Sequence, residues 1–257
     1  MLQQTQVSRV LIKYPEFLRR FPSLQSLARA RQSSVVRAWS GMGYNNRAVR
    51  LHRLAKVVMR EHGGRIPESR EALAHLPGVG RYTVHAIRSS AFGAQEAIVD
   101  VNVRRVLSRL FWRMPSTEAL RNETEIWTLA EFLLPRRRAY PWNQTLMDFG
   151  ATVCTARSPV CTSCPVRAEC ASAGRMDAPR RSRKGAEPSW RGIPNRIHRG
   201  RIIQRLREAD SRGISRNTLH RSIPGNAPAP WFHAMLNDLE RDGLIRLRAS
   251  GRRIHLA

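Results

Sequence analysis

The sequence lacks any apolar run close to the eighteen or so residues needed to cross a bilayer, so it carries no candidate membrane span. It opens Met1-Leu2-Gln3-Gln4-Thr5-Gln6, with no basic stretch leading into an apolar one, which excludes a signal peptide there. Acids are scarce: 19 Asp and Glu stand against 45 Lys and Arg, a formal net charge of +26. Lysine is scarcer still, represented only by Lys13, Lys56 and Lys184, so nearly all the positive charge is guanidinium. Arginine in place of lysine is what a GC-rich genome produces, but codon usage does not account for the missing acids. A surplus of this size points to a polyanionic partner, nucleic acid ahead of an anionic membrane. Cysteine is confined to Cys154, Cys161, Cys164 and Cys170. In a cytosolic chain that clustering reads as a metal site rather than as disulfides. Period-two alternation is missing until about residue 244, which leaves little room for sheet in the main body.

What is present is a helical pattern. Hydrophobic content of 42% over 257 residues supports a real core, in one large domain or two to three small ones. Val7, Val10, Leu11 and Tyr14 fall at i, i+3, i+4, i+7, and Leu51, Leu54, Ala55 and Val58 repeat the spacing. Trp39-Ser40-Gly41-Met42-Gly43-Tyr44 interrupts the helices with two glycines. Short or continuing helices are expected over 69–76, 81–91, 103–110 and 118–134. Residues 174–196 read as a basic, Pro/Gly-rich linker. Beyond it, helices over 198–209, 215–221 and 231–242 precede two alternating runs, 244–247 and 252–256, around Ser250-Gly251, a winged-helix pattern. Residues 175–257 hold 19 basic and 7 acidic side chains, nearly twice the net charge per residue of the first 174. The tail is therefore expected to touch phosphate as well.

Three constellations carry chemistry. Leu76-Pro77-Gly78-Val79-Gly80 followed at once by a helix has the form of a helix-hairpin-helix turn, in which glycines let backbone N–H groups approach a phosphate. An ordinary helix–helix turn is the competing reading. Asp100, after Ala97-Ile98-Val99, is placed to cap the helix that begins near Val101. An acid fixed there could also stabilise positive charge developing on a sugar. The cysteine spacing, with six, two and five residues between successive cysteines, suits a [4Fe–4S] cluster better than zinc, whose ribbons usually bring two separated Cys-x2-Cys knuckles.

Together, residues 76–83, Val99-Asp100-Val101-Asn102-Val103-Arg104-Arg105-Val106 and the cysteine loop resemble the helix-hairpin-helix DNA glycosylases that include endonuclease III. Met1–Val7, Trp39–Tyr44 and Met147-Asp148-Phe149-Gly150-Ala151 narrow the resemblance to the MutY family of adenine DNA glycosylases, over roughly residues 1–173. The tail, with Arg199-Gly200-Arg201 and Asp242-Gly243-Leu244, resembles the extension of actinobacterial members. The resemblance implies an all-α core: a six-helix barrel over 1–108, a cluster lobe over 109–173, the linker, and a winged-helix-like tail over 197–257. It implies excision of adenine opposite 8-oxoguanine or guanine, with the base flipped out of the duplex. Asp100 matches the aspartate that stabilises the sugar cation. Tyr82 stands where bifunctional relatives carry a lysine nucleophile, which implies a monofunctional hydrolase. Gln4 matches a residue wedged into the base stack, while Gln3, Thr5, Met42 and Tyr44 match positions around the lesion strand. Asn102 matches a backbone contact, and Pro77, Gly78, Val79 and Gly80 the phosphate anchor. For Tyr44, simple packing beside the glycine turn is the alternative.

The implied partner is double-stranded DNA with mismatched or oxidised bases, met by a cytoplasmic, nucleoid-associated monomer away from any membrane. In the family, the glutamate that protonates the leaving base lies two residues before the methionine matching Met1, and the large lesion-reading domain is not among these residues. The expectation is thus of a chain truncated at its start, through a misassigned start codon or otherwise, or of a catalytically crippled protein. Thymine or uracil opposite guanine is the alternative substrate, and DNA binding without turnover the alternative function.

Overall fold

The structure, a computed structural model, describes residues 1–113, 122–174, 187–209, 212–223, 227–247 and 252–257. Parts of three expected features lie outside them: residues 118–121 of the 118–134 helix, 175–186 of the linker, and the Ser250-Gly251 turn. No helix among the described residues is long and apolar enough to cross a membrane.

The chain divides into two compact units, one of residues 1–66, 76–78 and 184–257, the other of 67–75 and 79–183. In the first, α1 (Val7–Arg20), α2 (Leu24–Arg29), α3 (Gln32–Ala38) and α4 (Asn46–Glu61) come from the N-terminal part. Ser23 starts α2 with a reciprocal capping box: its hydroxyl accepts from Ser26 N, and the Ser26 hydroxyl accepts from Ser23 N. The apolar spacing correctly predicts α1 but not the side it buries. Of Val7, Val10, Leu11 and Tyr14 only Val10 is buried, and the core side of this stretch is Val10, Phe17 and Phe21. The helix is apolar on more than one face, and periodicity alone does not say which face finds a partner.

The C-terminal residues of this unit form α10 (Asn195–Glu208), α11 (Arg216–Arg221) and α12 (Ala229–Arg241), with a sheet in the order β3 (Ile214–Ser215), β5 (Arg253–Leu256), β4 (Ile245–Leu247). The expected hairpin is the antiparallel pair β4–β5, in register Arg246 to His255. Strand β3, two residues long, gave no periodic signal in the sequence. Ser189–Trp190 and Ile193–Pro194, read from their glycine and proline as linker, pair as antiparallel β1 and β2. One core holds this unit together, running from Val35, Val36, Trp39 and Val49 to Ile202, Ile203, Leu206, Phe232 and Ile254. Half-buried Arg207 of α10 ties the tail to the end of α3 and the start of α4, donating to Val36 O and, at 2.7 Å, to Asn45 Oδ1. Burial, then the charge of Arg37, lowers its pKa to about 10, so it stays cationic at neutral pH.

The second unit contains α5 (Arg70–His75), α6 (Arg81–Ala91), α7 (Val101–Phe111), α8 (Glu123–Phe132) and α9 (Ala139–Thr152). Its core is Ala97, Val103, Leu107, Ile126 and Ala130. A buried acid, Glu96, 7% exposed, gathers Arg88 at 2.5 Å, Arg70 at 3.1 Å and His85 at 3.4 Å. It thereby ties the start of α5 and the body of α6 to the segment entering α7.

Candidate active site

Asp100 does what its position predicts. It is the N-cap of α7, with Oδ1 accepting from Val103 N at 2.7 Å, and Oδ2 accepts from Asn102 Nδ2 at 3.0 Å. Both carboxylate oxygens are engaged, so the orientation of the charge is fixed before any ligand arrives. Asn102 is held in turn, its Oδ1 accepting from Arg105 at 2.9 Å. Arg105, nearly buried, also donates to Gly150 O at 2.5 Å and Cys154 O at 2.8 Å, and so connects the acid's support to the cysteine loop. Burial, then the neighbouring Arg109 charge, lowers the Arg105 pKa; Cys154 and Asp100 act against that. Arg109 holds the same loop through Thr155 O at 2.7 Å and Ala156 O at 3.0 Å.

Two further residues set this geometry, and neither announced itself in the sequence as a positioning group. A Cβ on Gly150 would lie 2.7 Å from Asn102 Cβ and 3.1 Å from Asn102 O, so only glycine lets α9 approach α7 this closely. Asn143, 1% exposed, accepts from Ile98 N at 3.0 Å and donates to Glu96 O at 2.9 Å, which fixes the extended segment ahead of Asp100. A lone asparagine in an amphipathic helix gives no clue to that role until the chain has folded back onto it.

Tyr82 lies in the first turn of α6, partly exposed. Burial and then the charge of Asp100 raise its phenol pKa, so it is neutral at pH 7 and near enough to Asp100 to feel it. Glu96 is the reverse case. Burial pushes its carboxyl up, but Arg88 and Arg70 outweigh that and hold it below the ordinary glutamate range. It is an ionised structural anion rather than a proton donor.

The glycine turn divides between the units along the chain. Gly78 has φ +81°, and a Cβ there would meet Arg50 Cβ at 3.0 Å. Gly80 is the extended N-cap of α6 and supplies no side-chain cap to it. Pro77 and Val79 are half-buried beside these glycines.

In the first unit, Gln3, Thr5, Met42 and Tyr44 come together around one residue, Arg47, with Gln4 between two of them. Its guanidinium donates to Met1 O at 2.9 Å, Gln3 O, Thr5 Oγ1 at 2.6 Å, Met42 O at 2.9 Å and Gly43 O at 3.3 Å. It also lies 5.3 Å from the Trp39 ring and 5.7 Å from the Tyr44 ring. Met42 is 2% exposed, so it offers its carbonyl to Thr5 and Arg47 while its side chain packs in the core. Gln4 and Tyr44 are exposed, and both have left-handed backbones, φ +54° and +42°. Non-glycine residues in that region cost on the order of 1–3 kcal/mol each and persist where their surroundings hold them.

Cys154, Cys161, Cys164 and Cys170 line one cavity together with Val106, Leu110, Phe149, Val153 and Val160. Arg109 reaches Cys154 Sγ at 3.5 Å. Four soft thiols around apolar side chains suit an iron–sulfur or zinc centre in donor chemistry. Among the described residues, however, no three such side chains converge closely enough to form a ready-made ligand group.

Comparison with known proteins agrees with this construction. A family model described as HhH-GPD superfamily base excision DNA repair protein matches residues 1–130. A second, for the winged helix of elongation factor SelB, matches 207–256. Adenine DNA glycosylase of Mycobacterium tuberculosis is 38% identical over 216 residues, 82% of this chain and 68% of that protein. The human adenine DNA glycosylase is 42% identical over 178 residues, 69% of this chain; the chain spans about a third of that protein's length, 33%. Among solved structures, a thermostable thymine-DNA glycosylase is 35% identical with a TM-score of 0.62, covering 67% of this chain and 79% of that one. An endonuclease III–DNA covalent intermediate is 25% identical with a TM-score of 0.59, covering 67% and 79%. With the family model spanning the glycine turn, Asp100 and the helix it caps, the chain belongs to the HhH-GPD superfamily of base excision DNA repair proteins.

Proposed function

We propose that this chain is a monofunctional DNA glycosylase that hydrolyses the N-glycosidic bond of adenine mispaired with 8-oxoguanine or guanine. The observation that carries the reading is the fixed carboxylate of Asp100, oriented through Val103 N and Asn102 with the neutral phenol of Tyr82 nearby. As the C1′–N bond breaks, its electron pair leaves with the base, which takes up a proton from solvent. Water adds to C1′ and loses one. Asp100 faces the oxocarbenium-like sugar and stabilises its charge without reorganising, the general advantage of a pre-oriented group. A phenol forms no Schiff base, so borohydride should trap no covalent DNA adduct. Gln4 and Tyr44 form the lesion-strand wedge, with Gln3, Thr5 and the Met42 carbonyl supporting it from within. Pro77, Gly78, Val79, Gly80 and Asn102 hold the backbone of double-stranded DNA. Cys154, Cys161, Cys164 and Cys170 would hold a [4Fe–4S] cluster, which supplies order to the 154–170 loop; purified protein should be brown with about four irons, and stoichiometric zinc would overturn that assignment.

Single-turnover assays on duplexes carrying A:8-oxoguanine, A:G, T:G and U:G test the substrate. Release of adenine from the first two supports the reading. Release only from T:G and U:G would favour the second reading, which the 35% identity to a thymine-DNA glycosylase supports. Tight binding with no release from any duplex would make the chain a DNA-binding module.

A further inference from the structure

We propose that Arg47 is a positioning residue that locks the two wedge loops into one preformed unit before DNA arrives. This rests on the reading of Gln4 and Tyr44 as the wedge. The guanidinium lies between two segments about forty residues apart in sequence and donates to both: Met1 O, Gln3 O and Thr5 Oγ1 on one side, Met42 O and Gly43 O on the other. Each loop carries one exposed non-glycine residue with a left-handed backbone, Gln4 and Tyr44, and the bonds from Arg47 fall on Gln3 and Thr5 either side of Gln4, on Met1, and on Met42 and Gly43 just before Tyr44. Thr5 closes the arrangement by donating to Met42 O at 3.1 Å. The planar fork of arginine supplies several donors at fixed angles and stacks on Trp39 and Tyr44; a lysine ammonium, a point charge with no plane, cannot do both.

A preformed wedge changes discrimination rather than general affinity. Ordering two loops on binding would reduce the affinity for every duplex that needs the wedge inserted, while phosphate contacts elsewhere remain as they are. Arg47 acts here through Gln4 and Tyr44 and needs no contact with DNA of its own.

The test uses the full chain with Arg47→Met, which keeps the apolar stem, and Arg47→Lys, which keeps the charge. Hydrogen exchange on the free protein is expected to rise at least tenfold in both variants, in segments 1–6 and 41–45 together, with α6 and α7 unchanged. A tenfold loss of protection corresponds to about 1.4 kcal/mol. The ratio of affinities for an A:8-oxoguanine duplex over a matched duplex should fall by a similar factor, with the salt dependence of matched-duplex binding unaltered. Faster exchange in only one loop, or in neither, overturns the proposal, as does full protection in Arg47→Lys. Loosened loops with unchanged discrimination would overturn the functional half. Because exchange is measured without DNA, an inactive wild type would sink the proposed function while leaving the coupling of the loops to be decided independently. Thr5→Val, which removes one acceptor and one donor of the same junction, should give a smaller rise in both loops, and it keeps the test open if neither Arg47 variant folds.

Discussion

At the scale of single residues, the acid and its supports make separable contributions. Asp100 caps α7 and, in the proposed function, faces the sugar cation. Asparagine caps helices as well as aspartate does, so Asp100→Asn should melt within about 0.5 kcal/mol of the parent. Base release should fall by at least 10²-fold, on the scale of removing one oriented charge from a transition state, with duplex affinity kept. Single-turnover kinetics beside a melting curve separates the two, and retained activity would remove Asp100 from the mechanism. Gly150→Ala is the opposite kind of change. Its new methyl would sit 2.7 Å from Asn102 Cβ. Overpacking of this sort costs roughly 1–3 kcal/mol, which in a domain of this size lowers Tm by roughly 2–12 °C. The displacement is handed to Asn102, so base release should fall as well, a loss to be measured at a temperature where the variant remains folded.

Among elements, the buried Glu96 cluster binds α5 and α6 to the segment that leads into α7. Its carboxyl is held below the ordinary range in the folded state, against about 4.3 when unfolded. The unfolded chain therefore takes up the proton first as pH falls. The stability contributed by Glu96 is complete above about pH 4.5 and is lost as pH drops through the depressed folded value. Urea melts between pH 3 and 6 should show a steep acid limb in the parent, reduced in Glu96→Gln. That variant should also be less stable at pH 7, since Arg88 and Arg70 then face no charge. Much at this scale was legible in the sequence. Helix periodicity, glycine breaks and Asp100 as a cap each depend on residues within a turn or two of one another. The buried face of α1 was not legible, because its apolar residues are distributed around the helix and burial depends on what covers them.

At the scale of the whole molecule, the tail shares a continuous core with α3 and α4. Arg207, half-buried at the edge of that core, donates to Val36 O and Asn45 Oδ1. Arg207→Met leaves those acceptors without their donor and should cost about 1–3 kcal/mol in a urea melt. Calorimetry should show the tail unfolding together with α1–α4, and a separate low-temperature transition of the tail would contradict the shared core.

The sequence by itself determined the helical elements, the position of the cap at Asp100, the concentration of thiols in one loop and the excess of positive charge. Each is written in residue type and short spacing. Only the tertiary structure decided that Arg47 joins two loops some forty residues apart, that Gly150 must be bare beside Asn102, and that Asn143 and Glu96 fix the approach to Asp100. The physical reason is common to all four. Their partners are set by where distant segments return, and a buried hydrogen bond or close contact exists only once that return has excluded water.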